Sequence, residues 1–298
     1  MTGWLVTGAG GMLGRDLTDV LGATAGVRVT AAARDRLDIT DPDAVGAAVA
    51  GHDVVVNAAA WTDVDGAESD EAAATRVNGQ GARVLAEACA KSGAALLQVS
   101  TDYVFPGDAA RPYPEDAPTG PVNAYGRGKL AGERAVLDLL PERGFVVRTA
   151  WLYGAHGRNF VSTVLGLAAR LETVEVVDDQ LGQPTWSRAL AVRLAELGAA
   201  AAGGRAPAGV YHGTASGEVS WYGLARAAFE LSGLDPERVR PTTSDRFPRP
   251  APRPSYSVLG HDGWSRARLG PMAPWREQLA DALPMVRQAV SGSAGGTA

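Results

Sequence analysis

Residues 4–14 read WLVTGAGGMLG, a short apolar run that breaks into a cluster of glycines. From Met12 onward the apolar residues recur at helical spacing, which places the glycines between a strand and a helix. Gly8 then suits a tight turn, Gly11 a close approach of backbone to a pyrophosphate, and Gly14 close packing of helix on strand. The spacing is G-x-x-G-x-x-G rather than the usual G-x-G-x-x-G. We interpret the stretch as the first strand–helix unit of a dinucleotide-binding fold.

The same alternation continues along the first half of the chain. Further apolar runs occur at 27–33, 53–60, 95–100 and 145–150, with segments of helical periodicity between them. Alternation with short connections is typical of a doubly wound parallel sheet with right-handed crossovers. We therefore predict an α/β protein of the Rossmann type, with a dinucleotide-binding domain over residues 1–150.

The second half of the chain has a looser pattern. Short helical and strand-like segments follow one another, and residues 241–256 contain five prolines. We predict that residues 151–290 form mainly a smaller C-terminal substrate-binding lobe, although the chain can cross between lobes after residue 150. Residues 291–298, with the sequence SGSAGGTA, are expected to be a disordered tail.

The composition excludes several classes of protein. The chain has 298 residues, 46% of them apolar and 20% charged, with a net charge of −5, which argues against a nucleic-acid-binding surface. We find neither an apolar run of membrane-spanning length nor a signal sequence, so we expect a cytoplasmic protein without membrane or nucleic-acid partners. The single cysteine, Cys89, cannot form an internal disulfide, and the four histidines show no metal-ligand spacing, so no metal site is predicted.

The residues suited to acid–base chemistry lie between Gln98 and Glu133. Thr101 ends the fourth apolar run, and Tyr125 and Lys129 lie four residues apart at the start of a helical pattern. That spacing places a phenol and an ammonium on one helical face, where the ammonium can lower the pKa of the phenol. The pair can then exchange a proton with a carbonyl or alcohol oxygen. The alternative is a Tyr that packs and a Lys that faces water.

Charged residues near the predicted strand ends allow two interpretations each. Arg34 follows the second apolar run, where an arginine accommodates the 2′-phosphate of NADPH, or it is a solvated strand end. Asp38 lies within reach of the adenine region. The acids Asp63, Asp65 and Glu68 form either a metal cluster or, as we favour, an acidic loop with capping residues.

Several motifs together resemble the extended short-chain dehydrogenase/reductases, and within them the dTDP-4-dehydrorhamnose reductase family. They are GAGGMLG (8–14), VVVNAAAWTDVDGAE (54–68), VSTDYVFPG (99–107), NAYGRGKLAGE (123–133), RTAWLYG (148–154) and DDQLGQPT (178–185). The resemblance implies an oxidoreductase of deoxysugar biosynthesis that reduces the C4 ketone of a dTDP-linked 4-keto-6-deoxyhexose. The expected substrate is dTDP-4-dehydro-L-rhamnose, the product dTDP-L-rhamnose and the cofactor NADPH, with NADH as a possible substitute.

The resemblance also implies roles for individual residues. Tyr125 would be the general acid, Lys129 would lower its pKa and contact the nicotinamide ribose, and Thr101 would polarise the carbonyl. Thr101, Asp102 and Trp151 would frame the sugar. The predicted cofactor contacts are Gly8, Gly11, Met12, Leu13, Gly14, Arg34, Asp38, Ile39, Ala60, Trp61, Thr62, Tyr125 and Lys129.

Three alternatives stay open at this point. Some members of the family form dimers around a metal ion held by acids, but Arg188 stands where an acid would be wanted, with Asp16 as one remaining ligand. A metal-bridged dimer is therefore not expected, whereas a homodimer by other contacts is allowed. Another nucleotide-sugar epimerase or dehydratase, or a non-catalytic regulatory subunit on the same fold, would share many of these motifs.

Overall fold

The computed structural model describes residues 1–294. The strands are β1 (Thr2–Thr7), β2 (Val27–Ala32), β3 (Val54–Asn57), β4 (Ala95–Thr101), β5 (Gly144–Thr149), β6 (Leu152–Tyr153), β7 (Val174–Val177), β8 (Leu181–Gly182), β9 (Thr185–Trp186), β10 (Gly209–His212), β11 (Val219–Ser220) and β12 (Val239–Thr242). The helices are α1 (Met12–Gly22), α2 (Pro42–Val49), α3 (Val64–Ser69), α4 (Glu71–Thr75), α5 (Gly81–Ser92), α6 (Ala124–Leu139), α7 (Phe160–Ala168), α8 (Ser187–Ala202), α9 (Trp221–Leu231), α10 (Gly263–Arg266) and α11 (Trp275–Ala294). A π-helical segment, Arg76–Gln80, joins α4 to α5.

The large sheet has six parallel strands in the order β10-β5-β4-β3-β1-β2. Its two faces are covered by separate apolar cores, one shared with α1 and α8 and the other with α2, α5 and α6. β2 lies on one side of β1 and β3 lies on the other, so the strand order reverses direction at β1. The switch point therefore lies at the carboxyl ends of β1 and β3. The predicted Rossmann-type doubly wound fold is confirmed.

One strand of this sheet comes from beyond residue 150. β10 pairs in parallel with β5, with Tyr211 opposite Val147, and α8 packs on α1. Residues 187–212 therefore belong to the large sheet and not to the second lobe, because the apolar face of α8 completes the core under β1 and β4. After residue 150 the chain thus returns from the second lobe to the layers of the large sheet.

The second lobe contains three two-stranded pairs, β6–β9, β8–β11 and β7–β12. Its apolar core is formed by α7, α9 and α11 with β7. The helix α11 extends to Ala294, so the start of the predicted disordered tail is wrong for residues 291–294, while 295–298 lie outside the described residues. Across residues 1–294, we find no helix with the length and apolarity needed to cross a membrane.

Candidate active site

Open α/β sheets bind ligands in a crevice outside the carboxyl ends of their strands, at the switch point between β1 and β3. The glycine loop after β1 forms one end of this crevice. Gly8 has φ +67°, and a Cβ there would lie 2.5 Å from the amide nitrogen of Ala59. A Cβ on Gly14 would lie 2.2 Å from the carbonyl oxygen of Gly8, so helix and loop pack as closely as predicted. Within the described chain, no side chain caps α1 at Gly11, and its first turn contains no acid. The helix N-terminus therefore offers free amide donors to an anion.

Three of the predicted cofactor residues, Met12, Leu13 and Ile39, pack their side chains against the protein. Leu13 and Ile39 are buried in the cores, and Ile39 packs against Gly81, so only their backbone can face a cofactor. Met12 packs beside Gly154. Asp38 is exposed and accepts hydrogen bonds from the amide and hydroxyl of Thr40, which lower its pKa.

Two arginines lie near Asp38 at the carboxyl end of β2. Arg34 and Arg76 are both exposed, and their positive charges contribute to the lowered pKa of Asp38. Arg34 was predicted, whereas Arg76 was missed because it lies in the π-helical segment far along the chain. Together they form a positively charged edge beside the second strand.

The loop after β3 is held by a buried asparagine. Asn78 accepts a hydrogen bond from the amide of Trp61 at 2.9 Å and donates one to its carbonyl oxygen at 3.1 Å. This pair places Ala60, Trp61 and Thr62 at the end of β3, and Trp61 packs in a small apolar cluster with Tyr125. The π-helical turn that carries Asn78 is a kind of distortion often found at functional sites.

A chain of buried amides lies beneath the crevice. Thr7 donates to Asn57 at 2.6 Å, Asn57 donates to Gln98 at 2.8 Å, and Gln98 donates to the carbonyl oxygen of Val99 at 2.9 Å. Lys129 donates to the same carbonyl at 2.6 Å. These hydrogen bonds join β1, β3 and β4 and hold the Val99 carbonyl that accepts from Lys129. Sequence reasoning assigned them no role.

The three predicted catalytic residues converge at the end of β4. Thr101 is buried and donates to the Asp102 carboxylate at 2.9 Å. Burial and the charge of Asp102 raise the pKa of Tyr125, and a hydrogen bond with the Thr101 hydroxyl lowers it. Burial raises the pKa of Asp102 to about 6, against hydrogen bonds from Ser257 and Thr101. The phenol is therefore protonated at neutral pH and able to donate.

The geometry of Lys129 differs from the expected one. Its ammonium is buried and directed at the Val99 carbonyl, and burial lowers the pKa of Lys129 to about 8 while Glu133 raises it. The expected lowering of the Tyr125 pKa by Lys129 is not among the effects acting on that phenol, since burial and Asp102 raise it. The role of Lys129 towards Tyr125 thus stays a prediction.

Helix α6 is held in place by contacts at its start and along its length. Asn123 caps it by accepting from the amide of Gly126 at 2.8 Å, and Glu68 accepts from the amide of Ala124 at 2.7 Å. A Cβ on Gly132 would lie 2.3 Å from the carbonyl oxygen of Asn78, so α6 lies directly on the π-helical segment. Tyr103, which sequence reasoning passed over within STDYVF, meets Tyr125 edge-on with ring centroids 6.1 Å apart.

A buried ion pair supports α6 from below. Arg148 on β5 donates to both carboxylate oxygens of Glu133, at 3.0 and 2.8 Å, and both residues are almost fully buried. Arg148 also contacts the Nε2 atom of His212 on β10 at 3.4 Å. Burial and the Arg148 charge lower the pKa of His212 to about 3, so the imidazole is neutral. The network joins α6, β5 and β10, and only the strand order reveals it.

The acidic loop after β3 consists of capping and pairing residues, as we favoured. Asp63 caps α3, Glu68 caps α6, and Asp65 forms a bidentate ion pair with Arg253 of the proline-rich segment. Asn123 donates to the carbonyl oxygen of Pro252 at 2.9 Å, so this segment lies against the start of α6. Among the described residues no cluster of His, Cys, Asp and Glu is suited to a metal ion.

Asp16, which the family resemblance marks as a remaining metal ligand, is bound by protein side chains in this structure. It accepts a short hydrogen bond from Ser187 at the start of α8, and His156 lies 3.9 Å from its other oxygen. The carboxylate is buried between α1 and α8. Asp16 therefore joins two helices of the large sheet layer.

A second wall, formed by Trp151 and Trp221, begins at the end of β5. Thr149 is the register partner of Thr101, and Trp151 follows two residues later with φ +47°. Its indole stacks on Trp221 with ring centroids 3.5 Å apart and an interplanar angle of 8°. Trp151 was predicted from the resemblance to frame the sugar, whereas Trp221 was missed because nothing near it in the chain marks it.

Comparisons with known proteins agree with this geometry. The family described as RmlD substrate binding domain matches residues 1–288. A dTDP-4-dehydrorhamnose reductase from Streptomyces griseus is 58% identical over 98% of this chain and 95% of that protein. A dTDP-4-keto-6-deoxy-D-glucose reductase from Streptomyces niveus is 52% identical over 95% of this chain and 97% of that protein.

A solved structure extends the comparison to three dimensions. The dTDP-4-dehydrorhamnose reductase from Bacillus anthracis, in complex with NADP, superposes with a TM-score of 0.88 at 34% identity, covering 95% of this chain and 99% of that one. Both the sequence and the fold thus match along almost the whole length. The chain belongs to the RmlD family of dTDP-4-dehydrorhamnose reductases, within the extended short-chain dehydrogenase/reductases.

Proposed function

We propose that this protein reduces the C4 ketone of a dTDP-linked 4-keto-6-deoxyhexose with NADPH, and that its substrate is dTDP-4-dehydro-L-rhamnose. The observation that carries the proposal is the convergence of Thr101, Tyr125 and Lys129 at the carboxyl end of β4, beside the crevice of the glycine loop. The 58% identical reductase from Streptomyces griseus supports the choice of substrate.

The residues of the crevice fit a nicotinamide dinucleotide phosphate. The lack of side chains at Gly8 and Gly14 lets the loop pack tightly against Ala58, Ala59 and the start of α1, and the uncapped start of α1 suits a pyrophosphate. Arg34 and Arg76 would hold a 2′-phosphate, and Asp38 the adenosine end. The loop Ala60–Thr62 would line the middle of the cofactor. NADPH, when bound, supplies the hydride.

Tyr125 acts as the general acid in this reaction. Its pKa is raised by burial and by Asp102, so the phenol carries its proton at neutral pH and can give it to the oxygen that becomes the C4 hydroxyl. The Thr101 hydroxyl lies beside the phenol, and its single proton, which Asp102 accepts in this structure, turns to the same oxygen when the substrate is bound. Two donors aimed at the atom where negative charge develops stabilise the transition state.

Lys129 and Asp102 set the charge around the acid. After proton transfer the phenolate needs a positive partner, and the Lys129 ammonium on the same helical face supplies it. Asp102 holds Thr101 through its 2.9 Å hydrogen bond and orients that hydroxyl. Asp102 and Trp151 frame the hexose from the two sides of the crevice.

A second candidate substrate differs in the sugar alone. The 52% identical relative from Streptomyces niveus is a dTDP-4-keto-6-deoxy-D-glucose reductase, a reduction that the same Thr101, Tyr125 and Lys129 can support. Since either face of a ketone can be presented to one acid by turning the sugar ring, the catalytic residues do not choose between the two. The second lobe makes that choice.

Oxidation of NADPH by the purified protein tests the proposal. We expect turnover with dTDP-4-dehydro-L-rhamnose, and nuclear magnetic resonance of the product identifies the configuration at C4. Turnover with dTDP-4-keto-6-deoxy-D-glucose alone would assign the second substrate. Protein that consumes no NADPH with either compound would overturn the proposal and favour an epimerase, a dehydratase or a non-catalytic subunit.

The cofactor is tested separately. Replacing Arg34 with Gln should raise the KM for NADPH by about tenfold, because a charge-assisted hydrogen bond contributes about 1.5–3 kcal/mol. The KM for NADH, which lacks the 2′-phosphate, should not change. Arg36→Gln, at an exposed position two residues away, serves as the control. Equal effects of Arg34→Gln on both cofactors would remove Arg34 from the phosphate site.

A further inference from the structure

Trp151 has a backbone conformation that an L-residue with a large side chain rarely adopts. Its φ of +47° lies in the left-handed region, which costs about 1–2 kcal/mol for a residue with a Cβ. Such strain persists where the surrounding structure imposes it. Trp151 lies between β5 of the large sheet and β6 of the second lobe, so it is the turn by which the chain leaves the catalytic sheet.

The indole of Trp151 is held by two neighbours. Trp221, the first residue of α9, stacks on it at 3.5 Å, and Phe160 of α7 packs on Trp221 at 4.6 Å. Gly182 lies against the Nε1 side of the ring, since a Cβ there would be 2.5 Å from Cε2 and 2.9 Å from Nε1. The ring therefore has one orientation and no room to move towards β8.

The position of this ring relative to the acid follows from the sheet register. Thr149 pairs with Thr101 across β5 and β4, and Trp151 comes two residues after Thr149. Trp151 is half-buried, and within residues 1–294 its indole N–H has no acceptor. The indole N–H is therefore an unused donor on a half-buried ring.

We infer that Trp221 is a positioning residue, which with Gly182 holds the Trp151 indole as a rigid wall of the hexose pocket. This inference rests on the proposed function, in which Trp151 frames the sugar. Trp221 is half-buried between Trp151 and Phe160, so we assign its effect to the stack on Trp151 and not to contact with the substrate. The stack on one side and Gly182 on the other hold the Trp151 ring in one orientation.

Two substitutions disturb the wall in different ways. Trp221→Leu removes the stacking partner, and Gly182→Ala places a methyl group where the Trp151 ring lies. For each we expect the KM for the sugar nucleotide to rise about threefold to tenfold, with the KM for NADPH unchanged, because an aromatic pair contributes about 0.5–1.5 kcal/mol. Trp221→Phe, which keeps a flat ring, should restore most of the affinity. The far-ultraviolet exciton signal of the stacked indoles should disappear in Trp221→Leu.

Binding of dTDP-glucose separates this inference from the proposed reaction. That compound carries a hexose without a ketone, so its affinity, measured by tryptophan fluorescence, reports on the wall and not on turnover. We expect the same threefold to tenfold weakening in Trp221→Leu and in Gly182→Ala. Unchanged affinity in both variants, or equal loss of NADPH and dTDP-glucose binding, would overturn the inference. Wild-type protein that binds dTDP-glucose but reduces no keto sugar would defeat the proposed reaction and leave the inference standing.

Discussion

The wall of the crevice formed by the end of β4 and the start of α6 is buried and hydrogen-bonded, whereas the wall formed by the second lobe rests on stacked, half-buried rings. On the first wall Lys129, Glu133 and Asp102 are almost completely buried, and the pKa values of Lys129 and Asp102 are shifted. On the second wall Trp151 stacks on Trp221, and both rings are half-buried.

The difference separates reaction from recognition. Proton transfer needs groups whose charge and position are controlled, and burial provides both because water cannot screen or replace them. Recognition of one sugar among several needs a surface that can change without disturbing the acid. We therefore expect substitutions on the first wall to change kcat, pH dependence or stability, and those on the second wall to change KM.

The largest effect is expected for Tyr125→Phe. Removing the general acid should lower kcat by a factor on the order of 10²–10⁴, with little change in the affinity for NADPH. Steady-state kinetics and a fluorescence titration measure the two quantities. Tyr103→Phe removes only the hydroxyl of the ring that lies edge-on to Tyr125, and should lower kcat much less. A Tyr125→Phe enzyme with wild-type kcat would show that the first wall does not carry the acid.

Glu133→Ala tests the buried support of that wall. The change leaves Arg148 buried without its partner, which should lower the free energy of unfolding by about 3–5 kcal/mol. Urea denaturation measures it. Glu71→Ala breaks the exposed ion pair between Glu71 of α4 and Arg127 of α6, and should lower the free energy of unfolding by at most about 1 kcal/mol. Similar losses in both variants would mean that burial does not distinguish the two ion pairs.

The pH dependence should report the buried Lys129. The ammonium form is the one that stabilises the phenolate, and its pKa is lowered to about 8, so kcat should fall as the pH rises through about 8. Lys129→Arg has a lower kcat but a guanidinium that does not titrate there, so the fall should disappear. A pH–rate profile of each protein checks this. Persistence of the same alkaline limb in Lys129→Arg would assign it to another group.

The smallest effect is expected at Asp65 of α3, which pairs with Arg253 of the proline-rich segment. The ion pair with Arg253 is partly exposed, so Asp65→Asn should lower the free energy of unfolding by at most about 1 kcal/mol. The kcat should stay at the wild-type value. Denaturation and steady-state kinetics measure both. A loss as large as that of Glu133→Ala would contradict the small contribution that we assign to a partly exposed ion pair.

Much of the first wall could be predicted because its signals are local. Helical periodicity and the spacing of Tyr125 and Lys129 are read within a few residues, and α6 begins at Ala124, just before this pair. The strain at Trp151, the π-helical turn at Asn78 and the direction of the Lys129 ammonium have no such signal. Each depends on which neighbour the fold brings against it.

The sequence by itself determined the α/β alternation, the glycine loop and the catalytic residue types, because strand and helix periods and caps act over short distances. The tertiary structure alone decided that β10 completes the large sheet, that Arg253 reaches Asp65 from 188 residues away and that Trp221 stacks on Trp151. These contacts join segments far apart in the chain, and their partners are selected by the burial of whole faces and not by any local pattern.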